Sequence, residues 1–298
     1  MRVTTAALAF AAALIPASLV NAQARLTEAE VERQPSSAPT LIDHYGPGAL
    51  QIGELRLPRG PGPFPVVIVI HGGCFTRGFA TTRSTVALAS DLAAHGVATW
   101  NIEYRQAGDP GGGWPGTFQD LAAAADHLRS LARTQPLDLS RVTAIGHSAG
   151  AAAALWLASR GRLADSSPVK GGASPLSIAA VVAIDGPGDL AVWTGRDPGI
   201  CGGAVEAFMG GAPAEVPDRY DQAGAIHRLP LSAAQTLVSA EGLRFADAAR
   251  YRAAAAARGE RVNLRAFNAG HFDLIAPRTP AGARVEALIL EAVAGTRR

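Results

Sequence analysis

The stretch RVTAIGHSAGAAAALWLAS, residues 141–159, decides how the rest of the chain reads. Its first half, from Arg141 to Gly146, is a short, largely apolar run of the kind that forms a buried strand. Its second half, from Ala151 onward, is rich in alanine and leucine, both strong helix formers. Between them Gly146-His147-Ser148-Ala149-Gly150 fits G-x-S-x-G. At a strand-to-helix turn this pattern holds a serine in strained backbone geometry, with its hydroxyl exposed above the sheet. Ser148 is therefore the expected nucleophile. The amides at the start of the following helix, that of Ala149 first, would face negative charge developing on a bound substrate.

Two further motifs fit the same chemistry. Val66-Val67-Ile68-Val69-Ile70 is a continuous apolar run closed by His71-Gly72-Gly73-Cys74. A glycine turn at a strand end lets backbone amides approach a substrate, so Gly73 and Cys74 are expected to supply oxyanion donors beside Ala149. Asn268-Ala269-Gly270-His271-Phe272 follows the last strand candidate. Its position and its order after the serine make His271 the expected general base. His227 falls in an irregular segment and His127 on a helix, where packed or solvated roles fit better. His147 is expected to point away from its neighbour Ser148.

Outward from these motifs, strand and helix patterns alternate. Strand candidates are residues 66–70, 97–102, 141–146, 179–184, 236–238 and 262–267, with helical stretches over 85–94 and 117–132. Alternation of this kind indicates βαβ units and an α/β fold: a mostly parallel, twisted sheet with helices on both faces. Residues 50–57 alternate apolar and polar, as an antiparallel edge strand would. Residues 186–231 hold many Gly, Pro and charged residues without a clear strand. A segment that long reads as a lid of loops and short helices inserted in the domain spanning residues 41–298.

On VVIVIHGGC, TWNIEYR, GGGWPGTFQDL, IGHSAG and AGHFDLI the chain resembles the α/β-hydrolase superfamily. More narrowly, it resembles bacterial serine esterases of the feruloyl/acetyl-xylan esterase and kynurenine-formamidase type. The likeness runs from about Leu50 to the C-terminus. It implies an α/β-hydrolase fold and hydrolysis of a small-molecule carboxylic ester through a Ser-His-acid triad and an acyl-enzyme. An amide or peptide hydrolase with the same machinery, or a catalytically silent binding domain, are the alternatives.

The acid is the open position. In relatives of this kind, the strand matching QTLV leads into a loop carrying His-Gly and then Asp. Here that loop reads SAEGLRF, and Leu243 falls about where the aspartate is expected. Glu241 is the nearest carboxylate and is taken as the third member. Asp185, at the end of the strand AVVAI, is the alternative acid, reaching from the neighbouring strand. Asp247 reads as a helix-start residue and Asp273 as a brace for the histidine loop.

Composition narrows the partners. Of 298 residues 48% are apolar and 17% charged, with a net charge of +2. This is globular, and nothing in it marks a nucleic-acid surface. No H-E-x-x-H or G-x-x-x-x-G-K pattern occurs, so neither metal nor nucleotide cofactor is expected. Residues 1–22, with Arg2, an apolar run from Ala6 to Val20 and small residues before Ala22, read as a secretory signal peptide. The expected mature protein is exported, periplasmic or secreted, and free of the membrane; residues 23–40 read as a flexible lead-in. Export would permit a disulfide between Cys74 and Cys201, the alternative being two buried thiols.

Overall fold

In the strand β5 (Leu137–His147) the pleat sends alternate residues to two separate cores, and the whole architecture follows from that division. The computed structural model describes residues 25–195 and 201–296. The expected signal peptide thus lies outside the described residues. Eight strands form one sheet. They are β1 (Leu41–His44), β2 (Ile52–Arg56), β3 (Phe64–Ile70), β4 (Ala98–Ile102), β5, β6 (Ala180–Ile184), β7 (Ala234–Ser239) and β8 (Val262–Ala266). Their order is β1-β2-β4-β3-β5-β6-β7-β8. Pairing is antiparallel for β1–β2 and β2–β4 and parallel throughout the rest. This is the α/β-hydrolase fold.

Strands buried on both faces need helices on both. Along β3, Val66, Ile68 and Ile70 enter one core while Val67 and Val69 enter the other. The first core is closed by α3 (Gly116–Leu131), α4 (Ala149–Ser159) and α7 (Phe245–Ala256). The second is closed by α2 (Val86–Ala94) and α8 (Pro280–Gly295), whose Leu92 and Ile289 are fully buried. Helix α4 is hydrophobic all round and almost wholly buried, as a helix at the centre of a large α/β domain must be. No described helix is long and apolar enough to cross a membrane.

Two expectations need correcting. The strand over residues 50–57 was expected at the sheet edge, but β1 lies outside it. Only four residues long, β1 offers too little alternation to be read from sequence. Residues 25–40, expected as a flexible lead-in, instead carry a short helix α1 (Glu28–Glu32) that opens on a Thr27–Glu30 capping box. Its Val31 is fully buried in the second core. One apolar residue among polar ones leaves no periodic signal, although it anchors the segment.

The described part of residues 186–231 contains no strand. It holds a 3-10 turn over Leu190–Trp193, α5 (Ala204–Met209), α6 (Pro217–Ala223) and a second 3-10 turn over Ala225–Arg228. It is well fastened. Phe208 stacks on Phe75 with ring centroids 4.2 Å apart, the Trp156 indole N–H donates to the Gln222 carbonyl at 3.1 Å, and Cys201 is disulfide-bonded to Cys74.

Candidate active site

Parallel register brings the candidate residues together. Ile70 lies opposite Gly146, His147 opposite Ile184, and Ile184 opposite Val238, so β3, β5, β6 and β7 end at one level. The next residues continue the ladder. The Ser148 amide donates to the Ile184 carbonyl at 2.8 Å, and the Asp185 amide to the Val238 carbonyl at 2.9 Å. Ser148, Asp185 and the loop after β7 therefore stand side by side at the carboxyl edge of the sheet, where α/β folds place their sites.

Ser148 sits at φ 57° and ψ −122° between β5 and α4. A β-carbon on Gly146 would collide with the Gly150 carbonyl, and one on Gly150 with the Ile70 and His71 carbonyls. Both glycines are thus demanded by the sharpness of the turn. Strain is concentrated here. Six non-glycine residues among those described have positive φ, and Cys74, Phe75, Ser148, Asp185 and Cys201 all belong to this region. Only Ser232 lies elsewhere. Each such residue costs about 1–3 kcal/mol and persists only where its surroundings fix it.

The carboxylate on the histidine ring is Asp185. Its Oδ2 lies 2.6 Å from His271 Nδ1. The fully buried Asp185 also accepts from three amides: Ala240 at 2.6 Å, Gly242 at 2.7 Å and Leu243 at 2.9 Å. Burial opposes its charge, but the His271 ring and the amides of Leu243 and Gly242 outweigh burial and hold the carboxyl below the usual aspartate range. Imidazole Nδ1 is thereby fixed as the protonated nitrogen, leaving Nε2 as the acceptor.

Glu241, taken as the acid from sequence, stands elsewhere. Its carboxylate accepts the His271 backbone N–H at 2.9 Å and pairs with the Arg25 guanidinium; it makes no bond to the imidazole. The loop after β7 is short and curls its amides onto Asp185, which brings the side chain of Glu241 to the histidine's backbone. Within that loop Gly242 passes so close that an added β-carbon would lie 2.6 Å from His271 Cε1. Asp247 opens α7 and pairs with Arg244 at 3.0 Å. Asp273 braces the histidine loop, accepting from the amides of Gly270 at 3.0 Å and Leu26 at 2.9 Å.

His147 does not turn away from the site. Its ring packs on His271 with centroids 4.2 Å apart, and Nε2 lies 3.1 Å from the His271 carbonyl. Burial, then the neighbouring His271, push His147 down to about 3, so it is neutral and donates Nε2–H to that carbonyl.

A cavity of about 420 Å³ is lined by Ser148, His271, Gly72, Gly73, Cys74 and His147. Phe79, Phe272, Glu28, Glu241 and Cys201 complete most of its wall. The glycine turn that enters it is held from behind. His71 Nε2 meets Glu103 Oε1 at 2.8 Å, its ring stacks on Tyr104 at 4.3 Å, and the Tyr104 hydroxyl donates to the His71 carbonyl at 2.8 Å. Burial opposes the charge of Glu103, yet His71 and the amides of Tyr104 and Thr82 outweigh it and lower its pKa. Gly73, Cys74 and Phe75 turn the chain through three successive positive φ values, and no acceptor among the described residues meets the amides of Gly73 or Cys74. Ala149 is the first residue of α4, so its amide has no partner within that helix.

This arrangement combines a strained serine, a histidine with its tautomer fixed by a buried carboxylate, and free amides at one cavity. Glu103, Tyr104, Glu28 and the amides around Gly242 were not singled out as functional from the sequence. Only the place of Glu103 and Tyr104 in E-Y and of Gly242 in S-A-E-G-L, beside strand ends, could have marked them; Glu28, on α1, carried no such signal.

The BD-FAE family profile matches residues 55–238, more than half of the chain. The chain belongs to the BD-FAE family. Among solved structures, esterase B from Lactobacillus rhamnosis has a TM-score of 0.73 at 16% identity, covering 90% of this chain and 91% of that one. A bacterial heroin esterase gives 0.65 at 24% identity, covering 83% and 80%. The bifunctional GH43-CE of Bacteroides eggerthii gives 0.70 at 18% identity; 86% of this BD-FAE chain spans only 38% of that longer protein. At such identities the likeness is one of fold. No protein in the curated set matches the sequence.

Proposed function

We propose that this BD-FAE protein is an exported serine hydrolase that cleaves small-molecule carboxylic esters through an acyl-enzyme. The observation that carries the reading is the 2.6 Å contact between Asp185 and His271 Nδ1, beside a serine on a strained strand-to-helix turn. It favours catalysis over a silent binding domain, because the best support for the latter was the altered acid loop. That the solved neighbours include esterase B and a heroin esterase supports the substrate class.

In this reading Ser148 Oγ attacks the ester carbonyl carbon while His271 Nε2 takes its proton. Asp185, charged and held by three amides, keeps the imidazole in the required tautomer and stabilises the imidazolium. The amides of Gly73, Cys74 and Ala149 receive the oxyanion, each such donor being worth about 3 kcal/mol. Collapse breaks the bond to the alcohol oxygen, which leaves with the proton from His271. Water then attacks the acyl-serine, giving its proton to His271 and returning Ser148 with release of the acid. His71, Glu103 and Tyr104 position the glycine turn and touch no reacting atom.

Export rests on the character of residues 1–22, and the Cys74–Cys201 bond is compatible with an oxidising compartment. The test is hydrolysis of p-nitrophenyl acetate and butyrate by the wild-type chain and by Ser148→Ala. Loss of turnover in the variant supports the reading; equal turnover in both overturns it.

A further inference from the structure

Among the described residues two carboxylates line the cavity, and they differ in one respect. Glu241 is engaged by Arg25 and by the His271 amide. Glu28, the first residue of α1, lines the same cavity with its Oε1 shielded from solvent and without a hydrogen-bond partner among the described residues. Its helix neighbours are accounted for, since Glu30 completes the capping box and Glu32 pairs with Arg83 at 3.5 Å. A shielded carboxylate oxygen with no donor is costly, and a site that keeps one is arranged for a donor that arrives with a ligand.

The segment carrying Glu28 is fixed rather than draped over the opening. Val31 is fully buried in the core beneath α1, and the Leu26 amide donates to Asp273 at 2.9 Å within the histidine loop. Burial first, and then the nearby charge of Glu32, raise the Glu28 carboxyl, while His71 and His271 pull it down. Glu28, Ser148 and His271 line one cavity, so a group bound to Glu28 shares that space with the reacting atoms. Phe79 and Phe272 are apolar, and the Ser84 hydroxyl is spent on the Thr81 carbonyl at 3.0 Å.

We propose that Glu28 is a specificity-determining residue: its Oε1 accepts a hydrogen bond from a hydroxyl or ammonium group carried near the scissile ester. The cavity thereby selects donor-bearing esters over plain alkyl and anionic ones. This deepens the esterase reading and rests on it. No step of the hydrolysis itself changes, as the proton inventory remains that of Ser148 and His271.

Two isosteric substrate pairs test the proposal at neutral pH. Ethylene glycol monobutyrate against propyl butyrate exchanges a hydroxyl for a methyl. Dimethylaminoethyl butyrate against isopentyl butyrate exchanges a protonated amine for a CH. The wild type is expected to favour the donor-bearing member of at least one pair by about tenfold in kcat/KM, a typical effect of a hydrogen bond to a charged group. Glu28→Leu should bring that ratio to about one. Glu28→Gln, similar in shape and uncharged, should abolish a preference for the amine and keep part of a preference for the hydroxyl. Ratios equal in the wild type and Glu28→Leu for both pairs overturn the proposal. So does a uniform loss on all four esters with a displaced pH–rate profile, which would make Glu28 an electrostatic partner of His271 only. If none of the four is hydrolysed and Ser148 resists a fluorophosphonate, the esterase reading itself fails. If Ser148 is labelled and the ratios are flat, only the role of Glu28 fails.

Discussion

Asp185 Oδ2 and His271 Nδ1 lie 2.6 Å apart although 86 residues separate them in the chain. The contact is made from β6, one strand nearer to the serine than the loop after β7. Asp185→Asn should lower kcat/KM by about 10⁴, the cost of losing the tautomer-fixing acid in a serine hydrolase. Glu241→Gln, which keeps an oxygen for the His271 amide, should cost no more than about tenfold. Steady-state kinetics of both variants on p-nitrophenyl butyrate decide between the two acids; the reverse ranking would restore Glu241.

The glycine turn depends on a buried pair. Glu103→Gln removes the charge that holds the His71 ring and should displace the amides of Gly73 and Cys74 slightly. Small displacements of positioning groups cost up to about 10² in rate. The expected result is a fall in kcat of about tenfold to a hundredfold with little change in KM. A variant in which only KM moves would show that the pair shapes binding instead.

The disulfide ties the inserted segment to the same turn across 127 residues of sequence. Cys201→Ser should destabilise the fold by about 2–4 kcal/mol, the usual effect of removing a cross-link from the unfolded chain. Thermal unfolding with and without dithiothreitol checks it. Reductant should lower the Tm of the wild type and leave that of the variant unchanged.

One buried carboxyl away from the cavity sets a pH dependence. Burial and the neighbouring Asp91 raise Glu286 to about 7, against the pull of His95 at 2.7 Å. The folded chain therefore binds this proton more tightly than the unfolded one. Its stabilising contribution is complete below the ordinary glutamate value of 4.5 and is lost as pH rises through about 7. Glu286→Gln cannot ionise and should flatten the decline of Tm across that window. Asp185 acts at the other end: its lowered pKa stabilises above the ordinary aspartate range, and that contribution is lost as pH falls through the folded value.

The sheet, the serine turn and the histidine loop could be read because each is local. A largely apolar strand end, a G-x-S-x-G after it and a helix of alanines all lie within residues 141–159. The acid could not be fixed in this way. In sequence Glu241 stands nearest the expected place and Asp185 is the alternative; what separates them is the parallel register that aligns Ile184 with Val238. The N-terminal segment was misjudged for a related reason. A single buried valine and a bond from Leu26 to Asp273 fix it, and neither produces a pattern along the chain.

If Ser148 is the nucleophile of this site, covalent labelling reveals it most directly. The full chain is treated with a fluorophosphonate and the modified peptide is located by mass spectrometry. A single adduct on Ser148, formed far more slowly in Asp185→Asn and absent in Ser148→Ala, is the predicted result. An unmodified Ser148, or labelling at the same rate in Asp185→Asn, would contradict the account.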